Sequence, residues 1–287
     1  MAKYKRILLK LSGEALAGPN KTGFDEATCI GVAKQVKQLV DAGIEVGIVT
    51  GGGNFWRGRT SENIDRTKAD QIGMLATVMN CIYVSEIFRS VGIKTNVLTP
   101  FECGSFTKLF SKDRANKYFE KGMVVFFAGG TGHPYFSTDT ATVLRAIEIE
   151  ADVILSAKSI DGVYDSDPAV NPDAKKFDEI SIEDVVNNRL GVIDLAAAVL
   201  CMENHMPMMI FGLNEELLRS MMGLKLNESN INEFGRLDDL KKTIDKGKAK
   251  LYFEMKEGIK LNPPKVNIRT DKLIRDFILS GGFEVDN

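Results

Sequence analysis

The stretch Ile7-Leu8-Leu9-Lys10-Leu11-Ser12-Gly13 contains the pattern that decides the fold. Residues 7–11 form a short apolar run that only Lys10 interrupts. A run of this kind predicts a strand buried on both faces, as in a parallel sheet. Ser12-Gly13 follows at once and predicts a tight turn where the strand ends. We therefore expect a buried parallel strand that opens into a polar loop.

Similar apolar runs recur along the chain, at residues 44–49, 93–98, 123–128, 153–155 and 208–211. Between them, apolar residues recur at the helical spacings of three and four. Two such sets are Val32, Val36, Leu39, Val40 and Ile72, Leu75, Met79, Ile82, Ile87. Gly43 and Gly92 follow these sets and predict the ends of two helices. The alternation predicts an α/β fold whose mainly parallel sheet is covered by helices on both faces.

The composition is that of an ordinary globular protein. Of 287 residues, 44% are hydrophobic and 26% are charged, and 37 basic against 39 acidic side chains give a formal net charge of −2. A near-neutral chain has no electrostatic footprint for nucleic acid. The four cysteines are too far apart in sequence for a zinc ribbon. We therefore expect them to be reduced thiols. The first apolar run is too short for a signal peptide, and we expect no membrane span and a cytoplasmic protein.

The composition changes near Gly235. Residues 235–287 carry 12 basic and 9 acidic side chains, a net of +3 against −5 for the rest of the chain. The amphipathic segments of this region are too few to build a core of their own. We therefore predict a catalytic domain over residues 1–234 and a C-terminal appendage over residues 235–287, with an oligomer-contact or regulatory role as the hypothesis.

Glycine-bearing loops follow three of the predicted strands. They are Ser12-Gly13, Gly51-Gly52-Gly53 and Gly129-Gly130-Thr131-Gly132. The carboxyl ends of parallel strands lie at one edge of the sheet, where ligands bind in folds of this class. Glycine also lets backbone amides approach an anion closely. The sequence therefore predicts an anion site at this edge.

Two cations belong to these loops. Lys10 lies near the end of a run that should be buried, and a lone buried ammonium group is costly unless it faces an anion. The alternative is that the lysine side chain extends from the strand end to solvent. Arg57 follows the glycine triplet within four residues, and its planar fork suits a phosphate. The alternative for the triplet is a plain turn. Neither the P-loop nor the dinucleotide-binding fingerprint is present, and we favour phosphate binding by a different loop.

The polar segment 129–139 contains further candidates. Thr138 is predicted to cap the next helix, and a helix N-terminus is an anion site. Asp139 could bind a metal ion, orient a cationic side chain or only complement the helix dipole. His133 has no partner that would make it catalytic, so we expect it to shape the loop. Farther along, Tyr164 and Asp167 form either a nucleobase pocket or a surface turn.

Taken together, these motifs resemble the bacterial-type uridylate (UMP) kinases of the amino-acid-kinase superfamily. The resemblance covers roughly residues 5–222 and rests on residues 10–16, 51–54 with Arg57-Gly58, 73–80, 131–139, 145–152, 161–164, 167–168 and 194–197. Aspartate, acetylglutamate and carbamate kinases share the fold and the glycine loops but not this whole set. The resemblance implies a three-layer αβα sandwich that transfers the ATP γ-phosphoryl group to UMP, giving UDP and ADP in pyrimidine nucleotide biosynthesis.

The resemblance also implies the residues of the site. Those implied to bind ATP are Lys10, Leu11, Ser12, Gly13, Gly53, Arg57, Lys158, Tyr164 and Asp167. Those implied to bind UMP are Gly52, Asp70, Thr131, Gly132, His133, Pro134, Tyr135, Phe136, Ser137 and Thr138, with Asp70 on the ribose hydroxyls. The implied catalytic residues are Lys10, Arg57 and Asp139, and Asp139 would organise Lys10 and the Mg²⁺-bound phosphates. Asp194 matches a family aspartate to which we assign no role.

By the same resemblance, the cofactor is Mg²⁺ carried with ATP, without a metal site of the protein's own. The assembly is expected to be a homohexamer that GTP activates and UTP inhibits. One alternative is another member of the superfamily, acting on a carboxylate or carbamate, for which Asp70 would be out of place. The other is a non-catalytic uridine-nucleotide sensor, against which the set Lys10, Arg57 and Asp139 argues.

Overall fold

The computed structural model describes residues 4–56, 63–158, 160 and 162–212. Arg57 lies outside these ranges, as do Ser159 and Asp161. The predicted domain boundary after Phe234 and the appendage over residues 235–287 also lie outside the described residues. Both therefore stay predictions.

The described residues form one parallel sheet and a small antiparallel hairpin. The strands are β1 Arg6–Leu11, β2 Glu45–Thr50, β3 Thr95–Thr99, β4 Lys108–Leu109, β5 Val124–Phe127, β6 Val153–Lys158, β7 Val163–Tyr164, β8 Lys176–Phe177 and β9 Met208–Gly212. The sheet has the order β4-β3-β5-β2-β1-β6-β9, and each of its neighbouring pairs is parallel. β7 and β8 pair only with each other. The prediction of a mainly parallel sheet is confirmed.

Helices cover this sheet on both faces. They are α1 Gly13–Ala17, α2 Glu26–Asp41, α3 Arg66–Ser90, α4 Lys112–Phe119, α5 Thr138–Glu148, α6 Ile182–Asn187 and α7 Leu195–Glu203. Successive side chains of a strand point to opposite faces, so β1 contributes to two cores. Ile7 and Leu9 pack with α2 and α3, whereas Leu8 packs with α4, α5 and α7. The three-layer αβα sandwich is confirmed.

Most predicted element ends agree with the structure. Gly43 and Gly92 adopt φ values of 82° and 86° just after α2 and α3, as helix-terminating glycines do. The prediction of Thr138 as a helix N-cap was wrong by one residue, because Ser137 is the N-cap and Thr138 begins α5. The two-residue strands β4, β7 and β8 were not predicted, since so short a segment has no measurable periodicity.

Helix α3 is apolar on two faces. It is long and apolar enough to cross a membrane by length and composition, with a mean hydropathy of 1.3 over its best 18 residues. Its inner face, including Val84 and Phe88, is buried in the core against the sheet, as in a core helix of a globular protein. The residues whose spacing predicted the helix lie mostly on its outer face: Ile72, Leu75, Met79 and Ile82, which are 39–54% exposed.

Candidate active site

A carboxylate lies between two lysines at the carboxyl end of the sheet. Nζ of Lys10 is 2.7 Å from Oδ1 of Asp139, and Nζ of Lys158 is 3.4 Å from Oδ2 of the same residue. The side chains of Lys10, Asp139 and Lys158 are only 12%, 18% and 16% exposed. The two ammonium groups of this poorly solvated cluster share the carboxylate of Asp139, and the charge of Asp194 acts on Lys158 from farther away, so the ammonium groups can still bind a further anion.

The sheet register brings these three side chains together. Lys10 lies two residues after Leu8 and therefore points to the face that α5 covers. On the neighbouring strand β6, Ser156 pairs with Lys10, so Lys158 lies on the same face one pleat farther along. Asp139 is the second residue of α5. Three elements distant in sequence thus meet at one point.

The electrostatics of the cluster favour a bound anion. Burial alone would raise the pKa of Asp139, but the charges of Lys10 and Lys158 outweigh it and hold that pKa below its usual value. Burial is also the main reason why the pKa of Lys158 is lowered, and repulsion from Lys10 adds to it, while the charges of Asp139 and Asp194 oppose both. A phosphate group would relieve this repulsion and stabilise the ammonium form.

Two glycine loops pack against each other beside Lys10. A Cβ atom on Gly13 would lie 2.7 Å from the carbonyl oxygen of Gly51, so only glycine fits there. Asn54 and Asn80 exchange amide hydrogen bonds of 2.7 and 3.1 Å, and Nδ2 of Asn80 donates to the Gly51 carbonyl at 2.6 Å. The sequence analysis gave Asn80 no role, although a buried asparagine within an apolar helix signals such a partner.

The predicted acceptor residues also come together. Oδ2 of Asp70 accepts the backbone N–H of Tyr135 at 2.8 Å and Nε–H of Arg66 at 2.8 Å. Tyr135 has a φ of 71°, a left-handed conformation that costs about 1–2 kcal/mol for a residue with a side chain. The bond from Asp70 helps to hold that conformation. Asp70 is therefore joined directly to the 131–138 segment. This is the arrangement expected if both were to bind the same nucleotide.

The remaining predicted residues have local contacts. The backbone N–H of His133 donates to Oγ1 of Thr131 at 3.1 Å, which agrees with a loop-shaping role. Tyr164 lies on strand β7, and Asp167 lies in the loop that connects β7 to β8. Oδ1 of Asp167 accepts the backbone N–H of Ala169 at 2.9 Å, a contact of the turn itself. The adenosine roles of Tyr164 and Asp167 stay predictions.

Comparison with known protein families assigns the chain to a family with this fold. A family model described as "Amino acid kinase family" matches residues 5–212. The chain belongs to the amino acid kinase family. This result confirms the resemblance on which the sequence prediction rested.

Within the amino acid kinase family, the chain is similar to solved UMP kinases. It is 37% identical to UMP kinase from Bacillus anthracis, with a TM-score of 0.73 over 77% of this chain and 93% of that one. It is 32% identical to UMP kinase from Ureaplasma parvum, with a TM-score of 0.73 over 78% and 97%. A uridylate kinase from Archaeoglobus fulgidus, at 24% identity and a TM-score of 0.58 over 76% and 96%, supports the fold alone.

The donor set of this amino acid kinase fits a metal ion that arrives with the nucleotide. Among the residues that the structure describes, no three His, Cys, Asp or Glu side chains come together as metal ligands. Mg²⁺ in nucleotide sites usually keeps several waters and binds substrate phosphates with only one or two carboxylates. The carboxylate of Asp139 is already shared by two lysines. Mg²⁺ held mainly by ATP phosphates and water is therefore the arrangement that fits.

Proposed function

We propose that this chain is a nucleoside monophosphate kinase that transfers the γ-phosphoryl group of ATP to UMP, giving UDP and ADP for pyrimidine nucleotide biosynthesis. The observation that carries the proposal is the Lys10–Asp139–Lys158 cluster, which lies beside the glycine loops at the carboxyl edge of the sheet. Similarity to two proteins named UMP kinases supports UMP as the acceptor.

Phosphoryl transfer needs positioning and charge neutralisation more than covalent chemistry. The acceptor phosphate is already ionised, so no general base is required. Lys10 and Lys158 neutralise charge on the transferring group, and Asp139 holds both ammonium groups in place. Mg²⁺ supplies further positive charge on the ATP phosphates when it is bound. Arg57, outside the described residues, is proposed as a third cation.

The two nucleotides are proposed to bind on either side of this cluster. On the ATP side, residues 10–13 and Gly53 face the phosphates, while Tyr164 and Asp167 contact the adenosine. On the UMP side, Gly52 and the 131–138 segment hold the phosphate and base, and Asp70 accepts the ribose hydroxyls. The contacts of Asp70 with Arg66 and Tyr135 use Oδ2, and we assign the ribose to Oδ1.

The test is an ADP-release assay with UMP, CMP, AMP, aspartate and carbamate as acceptors. We expect UMP to give the highest kcat/KM. Faster turnover with aspartate or carbamate would replace the proposal by an acyl- or carbamoyl-phosphate kinase. Binding of UMP or UTP without turnover of any acceptor would identify a nucleotide sensor instead.

A second copy of the chain is the proposed partner of the outer face of α3. The exposed stripe on this face consists of Lys68, Ile72, Leu75, Met79, Ile82 and Glu86. These six residues form three pairs whose members are equally far from position 77 in the sequence. The pairs are Lys68 with Glu86, Ile72 with Ile82, and Leu75 with Met79. An antiparallel pair of α3 helices with a twofold axis at position 77 would therefore join opposite charges and bury the apolar side chains.

Introduction of a charge into this stripe tests the dimer. We expect Leu75→Glu to lower the mass measured by sedimentation, because the carboxylate would be buried against an apolar partner. Val170→Glu is the matched control, since Val170 is also an exposed apolar residue but lies outside the stripe. Equal masses for all three proteins would exclude this interface. Assembly into a homohexamer, activation by GTP and inhibition by UTP are further proposals that rest on the family resemblance.

The proposed cytoplasmic location rests on the similarity to UMP kinases, and three of the cysteines are buried in the core. Burial raises the pKa of the Cys29 thiol to about 11 and the pKa values of Cys81 and Cys201 to about 12. At neutral pH these residues are therefore protonated thiols, which are poor nucleophiles. They are therefore core residues and not candidate nucleophiles.

A further inference from the structure

The carboxylate of Asp194 connects the N-termini of two helices. As the N-cap of α7, it accepts the backbone N–H of Ala197 through Oδ1 at 3.0 Å. It also accepts the hydroxyl of Thr140, at 3.0 Å from Oδ1 and 3.1 Å from Oδ2, and the hydroxyl of Ser137 through Oδ2. Ser137 is the N-cap of α5 and Thr140 lies in its first turn. One side chain of α7 thus orders the start of α5.

The contact with Asp194 determines how Ser137 caps α5. A serine hydroxyl has one proton, and donation of that proton to Asp194 leaves its lone pairs for the helix amides. Oγ of Ser137 accepts the backbone N–H of Asp139 at 3.0 Å and that of Thr140 at 3.3 Å. Asp139, whose backbone amide is held in this way, is also the residue whose carboxylate lies between Lys10 and Lys158.

The segment before Asp194 also contacts the site from the other side. The carbonyl oxygen of Val192 accepts a hydrogen bond from Nζ of Lys158. Lys158 in turn lies 3.4 Å from Asp139. Residues 192–194 therefore contact Lys158 directly and Asp139 through Ser137. Both partners of this ion pair are held by one short segment.

We infer that Asp194 is a positioning residue for phosphoryl transfer. Through Ser137 it fixes the backbone of Asp139, and thereby the place of the two ammonium groups that the transferring phosphoryl group meets. The activity part of this inference rests on the proposed function. Because the lysines act on charge that develops in the transition state, their displacement should lower kcat and leave the KM values nearly unchanged.

Asp194→Asn separates the two contacts of the carboxylate. Asparagine is as good an N-cap as aspartate, so its oxygen in the place of Oδ1 keeps the bond to Ala197. Its NH₂ group then takes the place of Oδ2 and donates to Oγ of Ser137, which can no longer donate there and loses acceptor capacity for the α5 amides. We expect kcat to fall roughly 5- to 10-fold, the effect of weakening one hydrogen bond, with both KM values within about twofold of wild type.

Asp25→Asn is the matched control. Asp25 is the N-cap of α2, and its Oδ2 accepts both the backbone N–H of Thr28 at 2.9 Å and the hydroxyl of Thr28 at 2.5 Å. The substitution is chemically the same but does not involve α5, so kcat should stay at the wild-type value. Asp194→Asn should cause a smaller further loss in a Ser137→Ala background than it causes alone, because the contact through Ser137 is then already lost and only the charge that Asp194 exerts on Lys158 remains to be removed.

Amide hydrogen exchange gives a measurement that does not depend on the acceptor. Asp194→Asn should accelerate exchange in peptides that cover residues 137–142, and Asp25→Asn should not. The inference is overturned by unchanged exchange in these peptides, by an unchanged kcat of the folded Asp194→Asn protein, or by losses that add in the double variant. If the wild type fails to phosphorylate UMP, the proposed function fails, whereas the exchange result still decides whether Asp194 orders α5.

Discussion

The proposed transfer centre and the proposed nucleoside-binding periphery of this protein are built in different ways. At the centre, Lys10, Asp139 and Lys158 come from two strands and a helix, and all three are at least four-fifths buried. At the periphery, Asp167 is exposed and, among the residues that the structure describes, its side chain bonds only within its own turn, to the backbone N–H of Ala169. If these roles hold, fixed charge at the centre would act on the transition state, whereas exposed contacts at the periphery would contribute to binding. We therefore expect substitutions at the centre to change kcat and those at the periphery to change KM.

The largest expected effect is that of Lys10→Ala. We expect kcat to fall by about 10²- to 10³-fold, because one preorganised charge on the transferring group is lost. Initial rates of ADP release at saturating ATP and UMP measure this. Lys37→Ala is the control: Lys37 is on α2 and forms a more exposed ion pair with Asp41, so turnover should be unchanged. Unchanged turnover of Lys10→Ala would exclude the proposed transfer centre.

The second effect concerns the acceptor side. Asp70→Asn should raise the KM for UMP by about 10- to 150-fold, since a hydrogen bond to a charged group is worth roughly 1.5–3 kcal/mol. The kcat value should change much less. Asp65→Asn, at the N-cap of the same helix, should leave the KM for UMP unchanged. If the KM for UMP does not move in Asp70→Asn, Asp70 serves only to hold Tyr135 and the 131–138 segment.

A smaller effect is expected on the ATP side. Asp167→Ala should raise the KM for ATP by about 2- to 10-fold, the range for one ordinary hydrogen bond. Asp173→Ala, in the same exposed loop between β7 and β8, is the control for general disturbance of the hairpin. An equal rise in both variants would mean that the hairpin fold, and not a contact of Asp167 with adenosine, is responsible.

Lys158→Arg is expected to change the rate at neutral pH least of all these variants. Its effect should instead appear at alkaline pH, in the pH profile of kcat/KM. Burial lowers the pKa of Lys158, so its ammonium group loses its proton at lower pH than an ordinary lysine does. The rate should therefore fall as the pH rises through that pKa, and kcat/KM reports the free enzyme. Arginine stays charged, so the alkaline fall should move to higher pH. An identical profile would show that another group controls it.

The sequence predicted the strands and glycine loops well because both are local signals. A buried strand is a short apolar run, and a glycine such as Gly13 marks a close approach of two backbones. The spacing of apolar residues also predicted α3, but it could not show which face of the helix is buried. Apolar residues recur at helical spacing on both faces of this helix. The structure shows that the residues that predicted this helix are mostly the exposed ones.

The amino-acid sequence by itself determined the αβα class, the edge of the sheet that holds the polar loops and the family to which the chain belongs. Only the tertiary structure decided which polar side chains meet. Asn54 with Asn80, Lys158 with Asp139 and Asp194 with Ser137 are 26, 19 and 57 residues apart in sequence. Their contacts depend on the register of parallel strands and on the packing of α5 against α7, and no short segment of sequence encodes either of these.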